Sequence, residues 1–195
     1  LDPFGGGEVV PAGRLREPLH ALQRASLFVV TRADDDRRFD AVRARLREHN
    51  SSAPIFRTRL AVRRWRDYRS TAALSTLESR RVAAFCGLGN PQSFWNTLDT
   101  LNLDVVSRWT FPDHHHYKPV ELQRIAHHAR VNGADLLVTT EKDSINLPAN
   151  TVSAIGELDL VWLEIDMTLE NEEDFFDALE HVISRPVAKA RSTAG

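Results

Sequence analysis

Leu103-Asp104-Val105-Val106-Ser107-Arg108-Trp109-Thr110 runs straight into Phe111-Pro112-Asp113-His114-His115-His116-Tyr117, and a helical pattern opens at Pro119. A strand that ends in acid, imidazole and phenol just before a helix places proton-handling groups at the carboxyl edge of a sheet, where open α/β folds bind ligands. Three adjacent histidines on an extended segment cannot all face one point, because alternate side chains leave opposite faces. At most His114 and His116 converge, so the run does not read as a metal site with zinc-ligand spacing. A surface loop with one useful histidine is the simpler reading. The candidate is His114, beside Asp113, since a neighbouring carboxylate fixes an imidazole's tautomer.

Outward from this loop the same alternation repeats. Val82–Cys86 reads as a strand, Ser93–Leu101 as a helix, Val105–Phe111 as a strand, Val120–Asn132 as a helix ending before Gly133, and Leu136–Thr139 as a strand. Alternation of this kind implies a parallel sheet with right-handed crossovers. Towards the N-terminus, residues 1 to 15 read as a Gly/Pro-rich loop, and Glu17-Pro18 opens a helix to about Arg24. Leu27–Thr31 follows as a short strand, then Arg37–His49 as a helix with Phe39, Val42 and Leu46 in one stripe. Near the other end, Asn171–Ile183 is a helix with Phe175, Leu179 and Val182 inward, closed by Arg185-Pro186.

Two segments differ in kind. Phe56, Thr58, Leu60 and Val62 alternate with Arg57, Arg59, Ala61 and Arg63, and Val161, Leu163 and Ile165 alternate with Trp162, Glu164 and Asp166. Both have the period of a strand with one wet face. Antiparallel pairing would set Arg57, Arg59 or Arg63 against Glu164 and Asp166, so a two-stranded linker between lobes is expected.

Several loops carry a double reading. Cys86-Gly87-Leu88-Gly89-Asn90-Pro91 could hold an anion or a nucleotide edge on free backbone N–H groups, or be a tight turn that uses Gly for positive φ. Thr140-Glu141-Lys142-Asp143 has capping-box spacing, worth about 1 kcal/mol as a helix start. Lys142 opposes the dipole there, which fits a phosphate contact. Arg63-Arg64-Trp65-Arg66 reads first as a solvated ribbon face, and Asp34-Asp35-Asp36 as a turn and an acidic helix start.

At 195 residues and 42% apolar the chain can bury a substantial core, as one domain or two small ones. The formal charge of −2 argues against a nucleic-acid partner. The single Cys86 excludes an intramolecular disulfide. No stretch approaches the ~20 apolar residues of a membrane-spanning helix.

Five pieces in order give the wider pattern: Asp2-Pro3-Phe4-Gly5, Pro11-Ala12-Gly13-Arg14-Leu15-Arg16-Glu17-Pro18, Phe85-Cys86-Gly87-Leu88-Gly89-Asn90-Pro91, Phe111 to Tyr117, and Thr139-Thr140-Glu141-Lys142-Asp143. Together they resemble the tetraacyldisaccharide 4'-kinase family, the lipid A 4'-kinases. That family's Gly-rich phosphate loop and Asp-Gly-Phe-Gln element do not occur in these 195 residues, and no G-x-x-x-x-G-K-[ST] is present. The resemblance therefore implies the C-terminal part of a kinase, inactive alone. Its α/β fold would be an incomplete P-loop-kinase-like core plus a smaller α/β lobe, joined by the two-stranded antiparallel linker. The expected divisions are 1–54 for the core remnant, 55–70 and 159–169 for the linker strands, 71–158 for the lobe, 170–186 for the last helix and 187–195 for a tail.

The resemblance implies transfer of the γ-phosphoryl group of ATP, with Mg²⁺, to the 4'-hydroxyl of a tetraacyldisaccharide 1-phosphate at the cytoplasmic face of the bacterial inner membrane. The whole protein would associate peripherally through its N-terminal part, and the present part would be soluble. His114 would be catalytic, with Asp113 beside it, and would pair with the Asp of the Asp-Gly-Phe-Gln element. Arg14, Arg16, Gly87, Gly89, Asn90, Glu141 and Lys142 would bind substrate or nucleotide. The alternative reading is a non-catalytic α/β ligand-binding or interaction module.

Overall fold

Val82 to Cys86 carries no charged side chain, and such a strand is stable only with both faces covered. The computed structural model describes residues 3–74, 76, 77 and 80–184. Asp2, the Arg185-Pro186 helix end and the 187–195 tail lie outside the described residues. The elements are strands β1 (Phe28–Val30), β2 (Ile55–Asp67), β3 (Ala73–Leu74), β4 (Arg81–Cys86), β5 (Asp104–Thr110), β6 (Leu136–Thr140) and β7 (Asp159–Leu169). The helices are α1 (Asp36–His49), α2 (Pro91–Thr100), α3 (Pro119–Val131), α4 (Glu141–Ile145), α5 (Thr151–Ile155) and α6 (Glu172–Ile183). Chain contacts define two units, residues 1–61 with 167–195, and residues 62–166; β2 and β7 contribute to both.

In the second unit the strand order is β2-β7-β6-β4-β5, with β3 antiparallel to β2. β4 pairs parallel with β5 and with β6, and β6 pairs parallel with β7, as the βα alternation predicts. The strand period then sorts the core. Val82, Ala84, Cys86, Leu136, Val138, Val161 and Leu163 pack with Phe94, Trp95 and Leu98 of α2. Ala83, Phe85, Leu137 and Leu160 point the other way, against Leu122, Ile125, Ala126 and Ala129 of α3 and Ile155 of α5. Full burial of a Leu or Phe contributes about 1.5–3 kcal/mol relative to exposure, and Phe85, Leu98, Leu122 and Ile125 are all wholly buried.

β2 and β7 are sheet neighbours. In the second unit the Tyr68 N–H donates to Leu160 O at 2.9 Å, while further back along β2 Arg66 meets Glu164, further forward along β7. Three guanidiniums, from Arg63 (3.4 Å), Arg64 (3.6 Å) and Arg66 (2.7 Å), gather on the one Glu164 carboxylate. Trp65, between them in sequence, is 4% exposed and belongs to the core.

In the first unit β1 pairs parallel with the start of β2. Phe28, Leu46 and Ala53 form a small core with Leu22, Val42 and Ile55. Asp35 caps α1 by accepting from the Arg38 N–H at 2.8 Å. The expected helix after Pro18 is a six-residue 3₁₀ segment, Leu19–Arg24, because extended Pro18 and Ala25 leave room for only two tight turns. The simple alternation of β2 fails at Arg57, which is 6% exposed. Its Nε–H donates to Ala33 O at 2.5 Å, Nη1 meets Asp36 at 2.7 Å, and the guanidinium lies 4.6 Å from the centre of the Phe39 ring. Arg57 and Arg59 thus pair with Asp36 and Glu170, and of the three arginines expected opposite Glu164 only Arg63 reaches it. The α6 stripe Phe175, Leu179 and Val182 is half-buried, with Phe175 edge-on to Phe56 at 5.2 Å between ring centres.

Leu122→Ala removes a wholly buried side chain facing the sheet and is expected to destabilise the chain by about 2–5 kcal/mol. Val131→Ala, on the same helix but 71% exposed, is expected to stay within about 0.5 kcal/mol. Chemical denaturation of the two variants reads the difference, and equal losses would contradict this placement of the core.

Candidate functional site

The chain leaves β4 through α2 to β5 on one side, and after α3 it returns to β6 on the other side of β4. The carboxyl ends of β4 and β6 therefore flank the point where strand order reverses, the usual place for a ligand in an open α/β sheet. Three loops meet there: Gly87–Asn90 after β4, Phe111–Lys118 after β5, and the β6–α4 junction at Thr140–Asp143.

At the rim, Asp113, His114 and Lys142 come together. The Lys142 ammonium lies 2.7 Å from Asp113 Oδ1 and 3.4 Å from His114 Nε2. The His114 backbone N–H donates to the same Asp113 oxygen at 3.0 Å. His114 has φ +58°, in the left-handed region where a non-glycine residue is uncommon, and its side chain is 75% exposed. The Lys142 ammonium bonded to Asp113 holds that carboxyl below the usual carboxylate range.

His115 points inward. Its ring stacks on Phe111 at 4.7 Å between centres, and Nε2 lies 3.0 Å from Glu121 Oε2. Glu121 also accepts the Lys118 N–H at 2.8 Å, starting α3, and this bond, with His115, keeps its carboxyl below the usual range. His116 is exposed. Among the described residues, no three of His, Cys, Asp and Glu gather as a metal cage.

Under the rim lies a buried carboxylate that the sequence reading gave no functional role. Asp143 is 0% exposed. Its Oδ1 accepts the Gly87 N–H at 2.9 Å and the Tyr117 hydroxyl at 3.0 Å, and its Oδ2 accepts the Thr140 hydroxyl at 2.5 Å. Thr140 Oγ1 in turn accepts the Asp143 N–H at 3.1 Å, so the capping expectation holds here. Burial, then the Asp143 charge, pushes the Tyr117 phenol far above its ordinary value, and it stays a donor. Burial likewise pushes the Cys86 thiol up to about 12, leaving it an inert core group. In the sequence only Tyr117 and Asp143 themselves point to this network, each at the end of a polar run, with nothing local to join them.

Two expectations about the glycine loop change. The Gly87 N–H is occupied by Asp143 and is not free for an anion. Gly87 and Gly89 are also not among the positive-φ glycines. Gly87 is required by space: a Cβ there would lie 2.9 Å from Pro112 O and 3.0 Å from Asp143 Oδ1. At Gly89 a Cβ would lie 3.0 Å from Asp113 Oδ2. Asn90 stands at the N-cap of α2 with no side-chain cap bond, and Glu141 is exposed at the start of α4. Arg14 and Arg16 belong to the first unit, exposed near the loop that the Val9–Leu15 bridge closes. There Glu17 pairs with Arg24.

A parallel-dominated sheet with helices on both faces and polar loops gathered at its switch point defines a mixed α/β unit of the doubly wound kind. The tetraacyldisaccharide-1-P 4'-kinase family model matches residues 1–184, and the chain belongs to that family. It is 31% identical over 190 residues to the tetraacyldisaccharide 4'-kinase of Halothermothrix orenii, covering 89% of this chain and 49% of that protein. It is 36% identical over 181 residues to that of Anaeromyxobacter dehalogenans, covering 91% and 47%. The solved structure of LpxK from Aquifex aeolicus in complex with ATP is similar with a TM-score of 0.60 at 25% identity, over 91% of this chain and 49% of that one. The chain thus spans about half the length of the relatives it matches.

Asp113 is held ionised by Lys142, so its folded value is depressed. The stabilisation from this pair is present above the ordinary carboxylate value and is lost as pH falls through the depressed one. Lys142→Met is therefore expected to be less stable than the wild type at neutral pH, with the gap closing in strong acid. Denaturation midpoints measured across that range check it, and a pH-independent gap would contradict the pairing.

Proposed function

We propose that this chain is the C-terminal part of a lipid A biosynthesis kinase that transfers the γ-phosphoryl group of ATP to the 4'-hydroxyl of a tetraacyldisaccharide 1-phosphate. Family membership supports the reaction class, and the relative solved with ATP supports the donor. The observation that carries the reading is His114: an exposed imidazole held in a left-handed backbone conformation at the switch point, beside the Asp113–Lys142 ion pair. Phosphoryl transfer asks a protein mainly to position groups and stabilise charge. On this reading His114 orients the catalytic Asp of the Asp-Gly-Phe-Gln element, or shares the proton that leaves the hydroxyl. Lys142 and the arginines Arg14 and Arg16 meet phosphate, arginine through bidentate contacts. Gly87, Gly89, Asn90 and Glu141 shape the nucleotide or substrate edge.

Mg²⁺ finds no donor set in the site described. Asp113, the carboxylate at the rim, is already paired with Lys142, and Asp143 has its oxygens committed below. On the same reading residues 55–70 and 159–169 are the linker between core remnant and lobe, and the whole enzyme works at the cytoplasmic face of the inner membrane as a peripheral protein. Among the described residues no helix is long and apolar enough to cross a membrane.

In the longer polypeptide that carries the phosphate loop, His114→Ala is expected to lower kcat about 10²-fold or more with a smaller change in KM for ATP. His116→Ala should leave kcat near normal. His115→Ala should act through stability, since His115 packs on Phe111 and Glu121, and Lys142→Ala mainly through substrate or nucleotide affinity. Normal kcat for His114→Ala beside a collapse for His116→Ala would assign the role to the other imidazole.

The 195-residue chain alone, with no phosphate loop in its sequence, is expected to show no 4'-kinase turnover with ATP and Mg²⁺. Turnover by the purified chain above a His114→Ala control would overturn this.

A further inference from the structure

Asp143 touches each of the three βα loops that meet at the switch point. Gly87 follows β4, Tyr117 closes the loop between β5 and α3, and Thr140 ends β6; all three donate to this one carboxylate. A further bond, from the Tyr117 N–H to Asn146 O at 3.2 Å, ties the same loop to the end of α4. Gly87 makes the meeting possible, because a Cβ there would press on both Pro112 O and the Asp143 carboxylate. Asp143 is 0% exposed, and its oxygens are taken up by the three donors. It therefore does not touch a substrate. Its neighbour in sequence is Lys142, the cation that reaches across to Asp113 beside His114.

We propose that Asp143 is a positioning residue for the phosphoryl-transfer site: by hydrogen-bonding three loops at once it sets the first turn of α4 so that Lys142 meets Asp113 and the Asp113–His114 loop is held in place. This deepens the kinase reading and rests on it for the reaction, though the geometry it invokes is independent of catalysis. The clamp acts through hydrogen bonds, not charge. An Asn side chain can hold all three partners, its oxygen accepting from Gly87 and Tyr117 and its NH₂ donating in reverse to Thr140 Oγ1, which has one lone pair left beside the Asp143 N–H. An Ala side chain keeps none.

The two substitutions separate this role from general stability and from long-range electrostatics. Removing a buried negative charge would by itself favour ionisation of nearby Asp113 and push its carboxyl further down. Losing the grip on Lys142 acts the other way, because the Lys142 bond is the main cause of the depression. The readout is the carboxyl ¹³C titration of Asp113 in the 195-residue chain, with no ATP or acceptor present. In Asp143→Ala the Asp113 midpoint is expected to rise towards the ordinary carboxylate range, as it does when the ammonium is removed in Lys142→Met. In Asp143→Asn, which keeps the contacts and loses only the charge, it should stay at or below the wild-type value. A folded Asp143→Ala chain with Asp113 unmoved, or an Asn variant that shifts as far upward as the Ala variant, would overturn the proposal.

If Asp143→Ala does not fold, Thr140→Val gives the decision, since it deletes the Oδ2 contact and the α4 cap alone. Asp113 should move upward there too, and an unchanged titration would overturn the proposal. Failure of the kinase reading would appear only in transfer assays of the longer polypeptide and would leave this titration result standing.

Discussion

The side-by-side pairing of β4 and β6 is the constraint on which the second unit depends. Both strands are buried on both faces, so neither carries a charge in its interior, and the polar groups of the switch point lie beyond their carboxyl ends. The chain must also pass from one side of β4 to the other between β5 and β6. That reversal brings three loops together at the carboxyl ends. The buried Asp143 lies beneath these loops, with Asp113, His114 and Lys142 at the rim.

This arrangement divides the polar residues into two kinds. Asp143, Tyr117, Thr140, His115 and Glu121 are satisfied by one another and hold the loops. A buried carboxylate is tolerable only when its oxygens are hydrogen-bonded, and Asp143 meets that condition. His114 and Lys142 are instead turned outward, His114 in a left-handed backbone conformation and Lys142 reaching across to Asp113 from the next loop. That contrast supports reading the rim as the reactive part.

Much of the fold was legible because its signals are local. The runs Val82–Cys86 and Leu136–Thr139, the proline starts at Pro91 and Pro119 and the stop before Gly133 each follow from strand or helix chemistry within a few residues, and the strands pair in parallel as alternation requires. Arg57 was misread as solvent-facing because its burial depends on Ala33, Asp36 and Phe39, which are distant in sequence. The short α4 and α5 are set by tertiary context, and α4 showed only as a capping pattern. At the site, the choice of His114 over its neighbours rested on Asp113. The Asp143 network was hidden because its donors, a glycine N–H, a phenol and a threonine, are drawn from three separate loops. Whether Gly87 serves by φ or by close approach is likewise a question of what lies opposite, which a single sequence does not encode.

The central claim is that an imidazole at position 114 takes part in the proton and charge traffic of phosphoryl transfer. Chemical rescue tests it most directly: 4'-kinase activity of the longer polypeptide carrying His114→Ala, measured with and without added imidazole. The account predicts a deep loss that free imidazole partly restores, while the wild type is unaffected. Wild-type turnover in the His114→Ala protein without imidazole would contradict it.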